Sequence, residues 1–149
     1  LACQLAAADS QRRIIITSGP SDRNAAAEVI DSARRQLAEA ARPRILACGE
    51  FSLVELRTLV DRAALFIGGD SGPLHIAATS HVPVVGLYGP TLPVRSAPWR
   101  ADRWTTLAVE VDGLPCRPCN QRVCEPGDFR CLAWIRPEQV IDAAERALA

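Results

Sequence analysis

The stretch 66–78 contains the residue types best suited to chemistry. An apolar run at 63–67 leads into Gly68-Gly69-Asp70-Ser71-Gly72-Pro73-Leu74-His75. The glycine pair is expected to end a strand by adopting backbone angles that side chains forbid, and Asp70 and Ser71 are residue types that cap helices. A helix that begins here directs free backbone N–H groups outward, which favours phosphate. An ordinary strand-to-helix turn that serves folding alone fits the local sequence equally well.

His75 and a second glycine-bearing turn favour the ligand-binding interpretation. A buried strand at 82–87 is followed by Gly89-Pro90-Thr91-Leu92-Pro93. In doubly wound sheets, ligands bind outside the carboxyl ends of the strands, so the two turns are predicted to face one crevice. A phosphorylated ligand is the expectation. The alternative for His75 is a helix histidine that caps a neighbouring carbonyl.

The elements that position these turns alternate along the chain. Strands are predicted at 12–17, 44–48, 63–67, 82–87 and 104–111, with helices before, between and after them. The run at 12–17 is expected as a central strand and 104–111 as an edge strand. The helix at 23–41 is expected to bury Val29, Ala33, Leu37 and Ala41. This order predicts an α/β fold, a Rossmann-like parallel sheet with helices on both faces and right-handed crossovers.

Composition narrows the class of protein further. The 149 residues are 48% hydrophobic, which suits one domain, residues 1–149, with its own core. Seventeen basic residues balance seventeen acidic ones, so no nucleic-acid partner is predicted. The arginines at 34–35 and 95–103 are interpreted as solvated faces. No apolar stretch approaches the roughly 20 residues of a transmembrane helix and no signal peptide is recognisable, which favours a cytoplasmic protein. The absence of Met predicts a piece of a longer protein.

The motifs together resemble a known family. Gly69-Asp70-Ser71-Gly72-Pro73-x-His75-x-Ala77-Ala78, followed by Pro83-x-Val85-x-Leu87-Tyr88-Gly89-Pro90-Thr91-x-Pro93, resembles the C-terminal domain of glycosyltransferase family 9, the heptosyltransferases of lipopolysaccharide synthesis. Thr17-Ser18-Gly19-Pro20, Gly49-x-x-Ser52-Leu53-x-Glu55-Leu56 and the cysteine-bearing tail also look like family segments. The resemblance covers nearly the whole chain.

The resemblance implies roles for individual residues. Asp70 would contact hydroxyls of a donor sugar. Ser71 and Gly72 would hold the diphosphate with their backbone N–H groups, and His75 would reach a phosphate oxygen. Gly69 is a further donor-binding candidate. The remaining donor-binding candidates are Asp22 on the ribose, Phe51 against the base and Thr91 in the second turn. Simple helix capping by Asp22 and core packing by Phe51 are the alternatives.

The resemblance also implies what surrounds this chain. Family members have the GT-B architecture, two Rossmann-like halves with the active site between them. This chain would be the donor-binding half, truncated at its N-terminus and lacking its first strand, with no catalytic residue of its own because the general base is expected on the other half. The whole enzyme would transfer heptose from a nucleoside-diphosphate sugar such as ADP-heptose to the lipopolysaccharide core by inversion. It would be cytoplasmic or peripheral at the inner face of the inner membrane, and the isolated chain is expected to be inactive.

A cysteine-bearing loop is predicted at 112–136. It carries Cys116, Cys119, Cys124 and Cys131, a spacing that loosely resembles a four-cysteine zinc site. Three alternatives stay open, a structural zinc, reduced thiols that pack the loop, and a native disulfide or redox role. The transferase reaction itself is expected to require no cofactor.

Two other function classes compete with the transferase. A GT-B-like sugar-nucleotide epimerase would share the phosphate-binding helix and use its own catalytic acids. The other class is a non-catalytic nucleotide-binding module, or a metal-stabilised interaction domain centred on the cysteine loop. His75 and the Gly89-Pro90-Thr91 turn favour the transferase over both.

Overall fold

The structure, a computed structural model, describes residues 1–119 and 123–149. The chain divides into two compact units, Leu1–Ser52 and Leu53–Ala149. No helix within the described ranges combines the length and apolar character needed to cross a membrane.

The first unit is a two-stranded parallel sheet with helices packed on it. Its elements are α1 (Ala2–Ala8), β1 (Ile14–Ile16), α2 (Arg23–Arg35) and β2 (Ile45–Ala47), with short 3-10 turns at Pro20–Asp22 and Glu39–Arg44. The strands pair in register from Ile14 opposite Ile45 to Ile16 opposite Ala47. The buried core of this unit consists of Ala6, Ile30, Ala33, Leu37 and Ile45.

The second unit is built on a three-stranded parallel sheet. Its elements are α3 (Leu53–Val60), β3 (Phe66–Gly69), α4 (Gly72–Ala78), β4 (Val84–Tyr88), α5 (Pro93–Ser96), β5 (Thr106–Glu110), α6 (Arg130–Ala133) and α7 (Pro137–Leu148). The strand order is β3-β4-β5, so β4 is central and β5 is an edge, as the sequence predicts. Val84 and Val85 are both fully buried. Because neighbouring strand residues point to opposite faces, β4 is covered on both sides.

Pairing differs from the expectation in one respect. The strands are parallel as predicted, but they form two sheets of two and three strands, and β1 pairs with β2 alone among the described residues. The β-branched run at 14–16 therefore correctly predicts a strand. The prediction that this strand is central in its sheet is wrong. Local composition reports how well a segment suits a sheet, and it does not report how many neighbours the strand has.

The glycine pair is inside β3, which corrects the prediction that it ends the strand. Gly68 and Gly69 pair with Gly86 and Leu87 of β4, and neither glycine has a positive φ. A Cβ on Gly68 would lie 2.7 Å from the ring of Phe66. The glycine thus leaves room for that ring, and the strand continues to the residue before Asp70.

The buried face of α2 is also corrected. Val29 is 47% exposed, whereas Ile30, Ala33 and Leu37 are buried. The helix ends at Arg35, so Leu37 and Ala41 belong to the chain that follows it. Ile30, and not Val29, therefore shares the inward face of the helix with Ala33.

We predict that Gly86→Ala destabilises the second unit by about 1–3 kcal/mol, the usual range for overpacking a core. The new Cβ would lie 2.7 Å from Cε2 and 2.9 Å from the hydroxyl oxygen of Tyr88, and that side chain is fully buried and cannot swing away. Urea unfolding followed by circular dichroism measures the change.

Gly72→Ala is the matched control, because a Cβ there meets nothing within 4 Å. It is expected to leave stability unchanged or to raise it by about 0.4–1 kcal/mol through the unfolded state. Equal losses in both variants would contradict the packing explanation.

Candidate functional site

The parallel register of β3 and β4 brings the two polar turns together. Gly69 pairs with Leu87, and the N–H of Asp70 donates to the carbonyl of Leu87 at 3.1 Å. The turn that begins at Asp70 and the turn that follows Tyr88 therefore leave the same edge of the sheet side by side. The sequence predicts that these two turns face one crevice, and the register shows that they lie next to each other within the second unit.

Ser71 is the N-cap residue of α4, with an extended backbone. Its hydroxyl donates to the carbonyl of Gly69 at 3.3 Å and makes no capping bond to the helix. The first hydrogen bond of the helix runs from Leu74 N–H to Ser71 O at 3.0 Å. The N–H groups of Ser71 and Gly72 precede that bond, and helix geometry leaves such groups for acceptors outside the helix.

Asp70 and His75 form a pair across this helix start. Nε2 of His75 lies 3.5 Å from Oδ1 of Asp70, and the side chains are 50% and 12% exposed. The pair is ionic only when the imidazole is protonated. The carboxylate is thus largely enclosed while the imidazole remains open to a ligand. The sequence predicts both residues in one site but does not predict the contact between them.

Tyr88 lies fully buried beneath the same edge. Burial raises the pKa of its phenol, and the carboxylates of Asp70 and Glu110 raise it further. The hydroxyl has no hydrogen-bond partner among the described residues. In the sequence Tyr88 stands out only as part of a motif, because nothing in its local sequence indicates that the carboxylates of Asp70 and Glu110 lie nearby.

Thr91, the candidate from the second turn, has a buried hydroxyl that lacks a partner within the described ranges. The backbone of this turn is held by the side chain of Arg117. Arg117, which lies between two of the cysteines, donates through Nη2 to the Thr91 carbonyl at 2.7 Å and to a carboxylate oxygen of Glu110 at 2.7 Å. Arg117 and Glu110 are not predicted as site residues, because nothing in the local sequence distinguishes a buried charged side chain from a solvated one.

Asp22 and Phe51 lie in the first unit, whereas the other donor-site candidates all lie in the second. Asp22 precedes α2 but makes no side-chain capping bond, so the capping alternative is not what this structure shows. Nε of Arg23 donates to Glu50 Oε1 at 3.2 Å, and this bond with the carboxylate raises the pKa of Arg23. The ion pair ties the segment that carries Asp22 to the one that carries Phe51, which is half-buried.

The four cysteines of the loop are half-buried and form no disulfide among the described residues. In the part of the chain that the structure describes, no three His, Cys, Asp or Glu side chains come together as a metal site. Residues 120–122 lie outside the described residues. The structural zinc remains a prediction, and none of the chemistry considered below passes through it.

The parallel strands, the covering helices and the polar strand exits define the class of this protein, a Rossmann-like α/β protein with candidate ligand-binding residues at the carboxyl ends of its strands. Residues 3–128 match the family model for glycosyltransferase family 9 (heptosyltransferase). The chain belongs to that family. The family assignment and the α/β fold predicted from the sequence are thus both confirmed.

Individual relatives agree with the family match. Lipopolysaccharide heptosyltransferase 3 of Escherichia coli K12 is 33% identical over 136 residues, which are 91% of this chain and 37% of that protein. Lipooligosaccharide heptosyltransferase 2 of Campylobacter jejuni is 35% identical over 96 residues, 62% of this chain and 29% of that protein. The crystal structure of a family 9 glycosyltransferase from Veillonella parvula matches with a TM-score of 0.69 at 26% identity, over 99% of this chain and 39% of that one. The chain spans less than two fifths of the length of these relatives.

The single tyrosine allows a direct test of the buried edge. We expect the Tyr88 phenol to ionise above its ordinary pKa of 10.0 in the folded chain. The folded chain then keeps a proton that the unfolded chain has lost, so its contribution to stability is complete below pH 10 and is lost as the pH rises through the folded pKa. Ultraviolet difference absorbance of tyrosinate, with and without denaturant, measures both values.

Tyr88→Phe serves as the control for this titration. It should abolish the tyrosinate signal and leave stability at pH 7 unchanged or higher, because the removed hydroxyl is buried without a partner. A phenol that ionises at the same pH in folded and denatured chains would contradict the enclosed edge.

Proposed function

We propose that this chain is the donor-binding half of an inverting glycosyltransferase. The donor is a nucleoside-diphosphate sugar, ADP-heptose or a related sugar nucleotide, and the acceptor is the inner core of lipopolysaccharide. Membership of glycosyltransferase family 9 and the heptosyltransferase names of the relatives support the reaction class. Because the chain spans only part of those relatives, the activity is proposed for the whole protein.

The pairing of Asp70 with His75 at the start of α4 is the observation that carries the proposal. The two groups lie 3.5 Å apart, beside N–H groups of Ser71 and Gly72 that precede the first helical bond. A carboxylate repels a diphosphate and accepts hydrogen bonds from sugar hydroxyls, whereas backbone N–H groups and an imidazolium bind phosphate oxygens. The site therefore offers a sugar side at Asp70 and a phosphate side at Ser71, Gly72 and His75.

These groups would assist the departure of the leaving group. In the proposed reaction an acceptor hydroxyl oxygen attacks the anomeric carbon, the bond from that carbon to the diphosphate oxygen breaks, and a base takes the hydroxyl proton. Negative charge then grows on the nucleoside diphosphate. Backbone N–H donors at the start of α4 and a ring N–H of His75 would stabilise that charge as it forms. Attack from the face opposite the diphosphate gives inversion.

The first unit would contribute to nucleotide recognition. Asp22 is exposed, and its carboxylate, free of any capping bond, suits the two hydroxyls of a ribose. Phe51 is half-buried and offers an apolar side chain for a base. The Arg23–Glu50 ion pair would keep the two segments near each other.

The catalytic base and the acceptor groove belong, in this proposal, to another half of the whole protein. That protein would be cytoplasmic or peripheral at the inner face of the inner membrane. Balanced charge on this chain, seventeen basic against seventeen acidic residues, does not favour a nucleic-acid ligand instead.

Asp70→Asn tests the sugar side of the site. We expect affinity for an ADP-sugar to fall about tenfold, while affinity for ADP stays within about twofold. The amide keeps the shape of the side chain but loses the negative charge that strengthens hydrogen bonds from sugar hydroxyls. Isothermal titration calorimetry with both ligands measures the two constants.

Asp102→Asn, an exposed aspartate in the loop after α5, is the matched control and should change neither constant. An equal loss for ADP and ADP-sugar in Asp70→Asn would show that Asp70 does not act on the sugar. Binding of neither ligand by the unaltered chain would contradict donor binding altogether.

The chain by itself should bind donor without turning it over to product. The proposal assigns the base to residues that this chain does not contain, so incubation with ADP-heptose and a lipopolysaccharide acceptor should yield no heptosylated product by mass spectrometry. Turnover above that of a heat-inactivated sample would contradict this division of roles.

A further inference from the structure

The four residues that leave β4, from Tyr88 to Thr91, are held by a segment far along the chain. Beyond Tyr88 the strand ladder with β5 ends, so Gly89, Pro90 and Thr91 have no sheet partners. Contacts from Arg117, Cys119 and Leu132 take their place. This four-residue stretch is called the β4 exit below.

Arg117 makes two of these contacts. Its Nη2 donates to the carbonyl of Thr91 at 2.7 Å and to that of Tyr88 at 3.4 Å, the two ends of the β4 exit. Its Nη1 donates to the carbonyl of Val111, just past β5, at 2.5 Å. Glu110 accepts from the same guanidinium at 2.7 Å. One side chain thereby joins the ends of two neighbouring strands.

Two further contacts hold the β4 exit. The N–H of Cys119 donates to the carbonyl of Pro90 at 2.9 Å. Leu132 of α6 lies directly over Gly89, where an added Cβ would be 2.5 Å from the leucine Cγ. Every residue of the exit is thus touched by the cysteine-bearing segment.

We propose that Arg117 is a positioning residue for the donor site, holding the β4 exit in place beside Asp70 so that the site is formed before the donor arrives. This inference rests on the proposed function, because it assigns the β4 exit to donor binding. Arg117 itself is not expected to touch the donor.

Burial and geometry argue for positioning and against direct binding. The Arg117 side chain is only 4% exposed, and its partners are three backbone carbonyls and one carboxylate. A guanidinium is a planar fork with several donors in fixed directions, so it can hold several acceptors at once. A lysine ammonium has the same charge but cannot span that set.

Arg100 provides a matched control at the opposite ends of the same strands. It donates to the carbonyls of Ser80 at 2.9 Å, Val82 at 3.1 Å and Thr105 at 3.4 Å, all of which precede β4 or β5. Arg100→Lys should therefore remove a comparable set of bonds at the edge away from Asp70. It should affect stability without affecting the proposed donor site.

The test compares Arg117→Lys with Arg100→Lys in two measurements, made well below both melting temperatures. Hydrogen exchange of the ligand-free chain reports order at the β4 exit and at the Cys119 amide, and calorimetry reports affinity for ADP-heptose. If Arg117→Lys leaves about a tenth of molecules with a formed exit, the apparent Kd rises about tenfold. We expect faster exchange and that weakening in Arg117→Lys, and neither change in Arg100→Lys.

Each other outcome overturns the inference. Unchanged exchange at the exit in Arg117→Lys, or faster exchange with unchanged affinity, shows that Arg117 does not position the site. Equal weakening in Arg100→Lys shows a general loss of structure. If the unaltered chain binds no donor, the proposed function fails and the positioning role fails with it.

Glu110→Gln is the second variant, for the case in which Arg117→Lys does not fold. It keeps the side-chain shape and removes the one charged acceptor of Arg117. Faster exchange at the β4 exit and weaker donor binding, both smaller than tenfold, are expected. No change in either measurement would overturn the inference.

Discussion

The parallel register between β3 and β4 is the constraint on which the candidate site depends. Gly69 pairs with Leu87, and the next N–H along, that of Asp70, donates to the Leu87 carbonyl. This register places Asp70 at the end of its strand just as β4 reaches Tyr88. A slip by one residue would turn every side chain on β3 to the other face and would remove Asp70 from the edge. The chemistry at this edge is therefore fixed by backbone pairing before any side chain contributes.

Arginine side chains extend that backbone pairing where strands and helices stop. Arg34 donates to the Ile45 carbonyl in the first unit, Arg100 serves the amino ends of β4 and β5, and Arg117 serves their carboxyl ends. Carbonyls at element ends lack ladder partners, and leaving them buried without a donor is costly. The interpretation of residues 34–35 and 95–103 as solvated faces is thus wrong for Arg34 and Arg100. Both side chains satisfy backbone carbonyls.

The sequence predicts this fold and site to different depths. Strand and helix order, parallel pairing and the family follow from local patterns and from motifs such as 69–78. The bounds of β3 do not follow, because Gly68 and Gly69 have the letters of a turn and the space requirement of Phe66 appears only in three dimensions. The partners of Arg117 are equally invisible, since Tyr88, Thr91 and Glu110 lie between 7 and 29 residues away along the chain. Long-range contacts of this kind have no period that a sequence pattern could reveal.

These long-range contacts give the cysteine-bearing loop a supporting role that does not require a metal. The bonds from Arg117 and Cys119 to the β4 exit use a guanidinium and a backbone N–H, and the cover over Gly89 is a leucine. None of these contacts uses a thiol. Whatever the cysteines bind, they lie in the loop that supports the exit, at Cys116 and Cys119 on either side of Arg117 and at Cys131 beside Leu132. A change in their bonding would therefore act on the β4 exit through the backbone that carries Arg117 and Leu132.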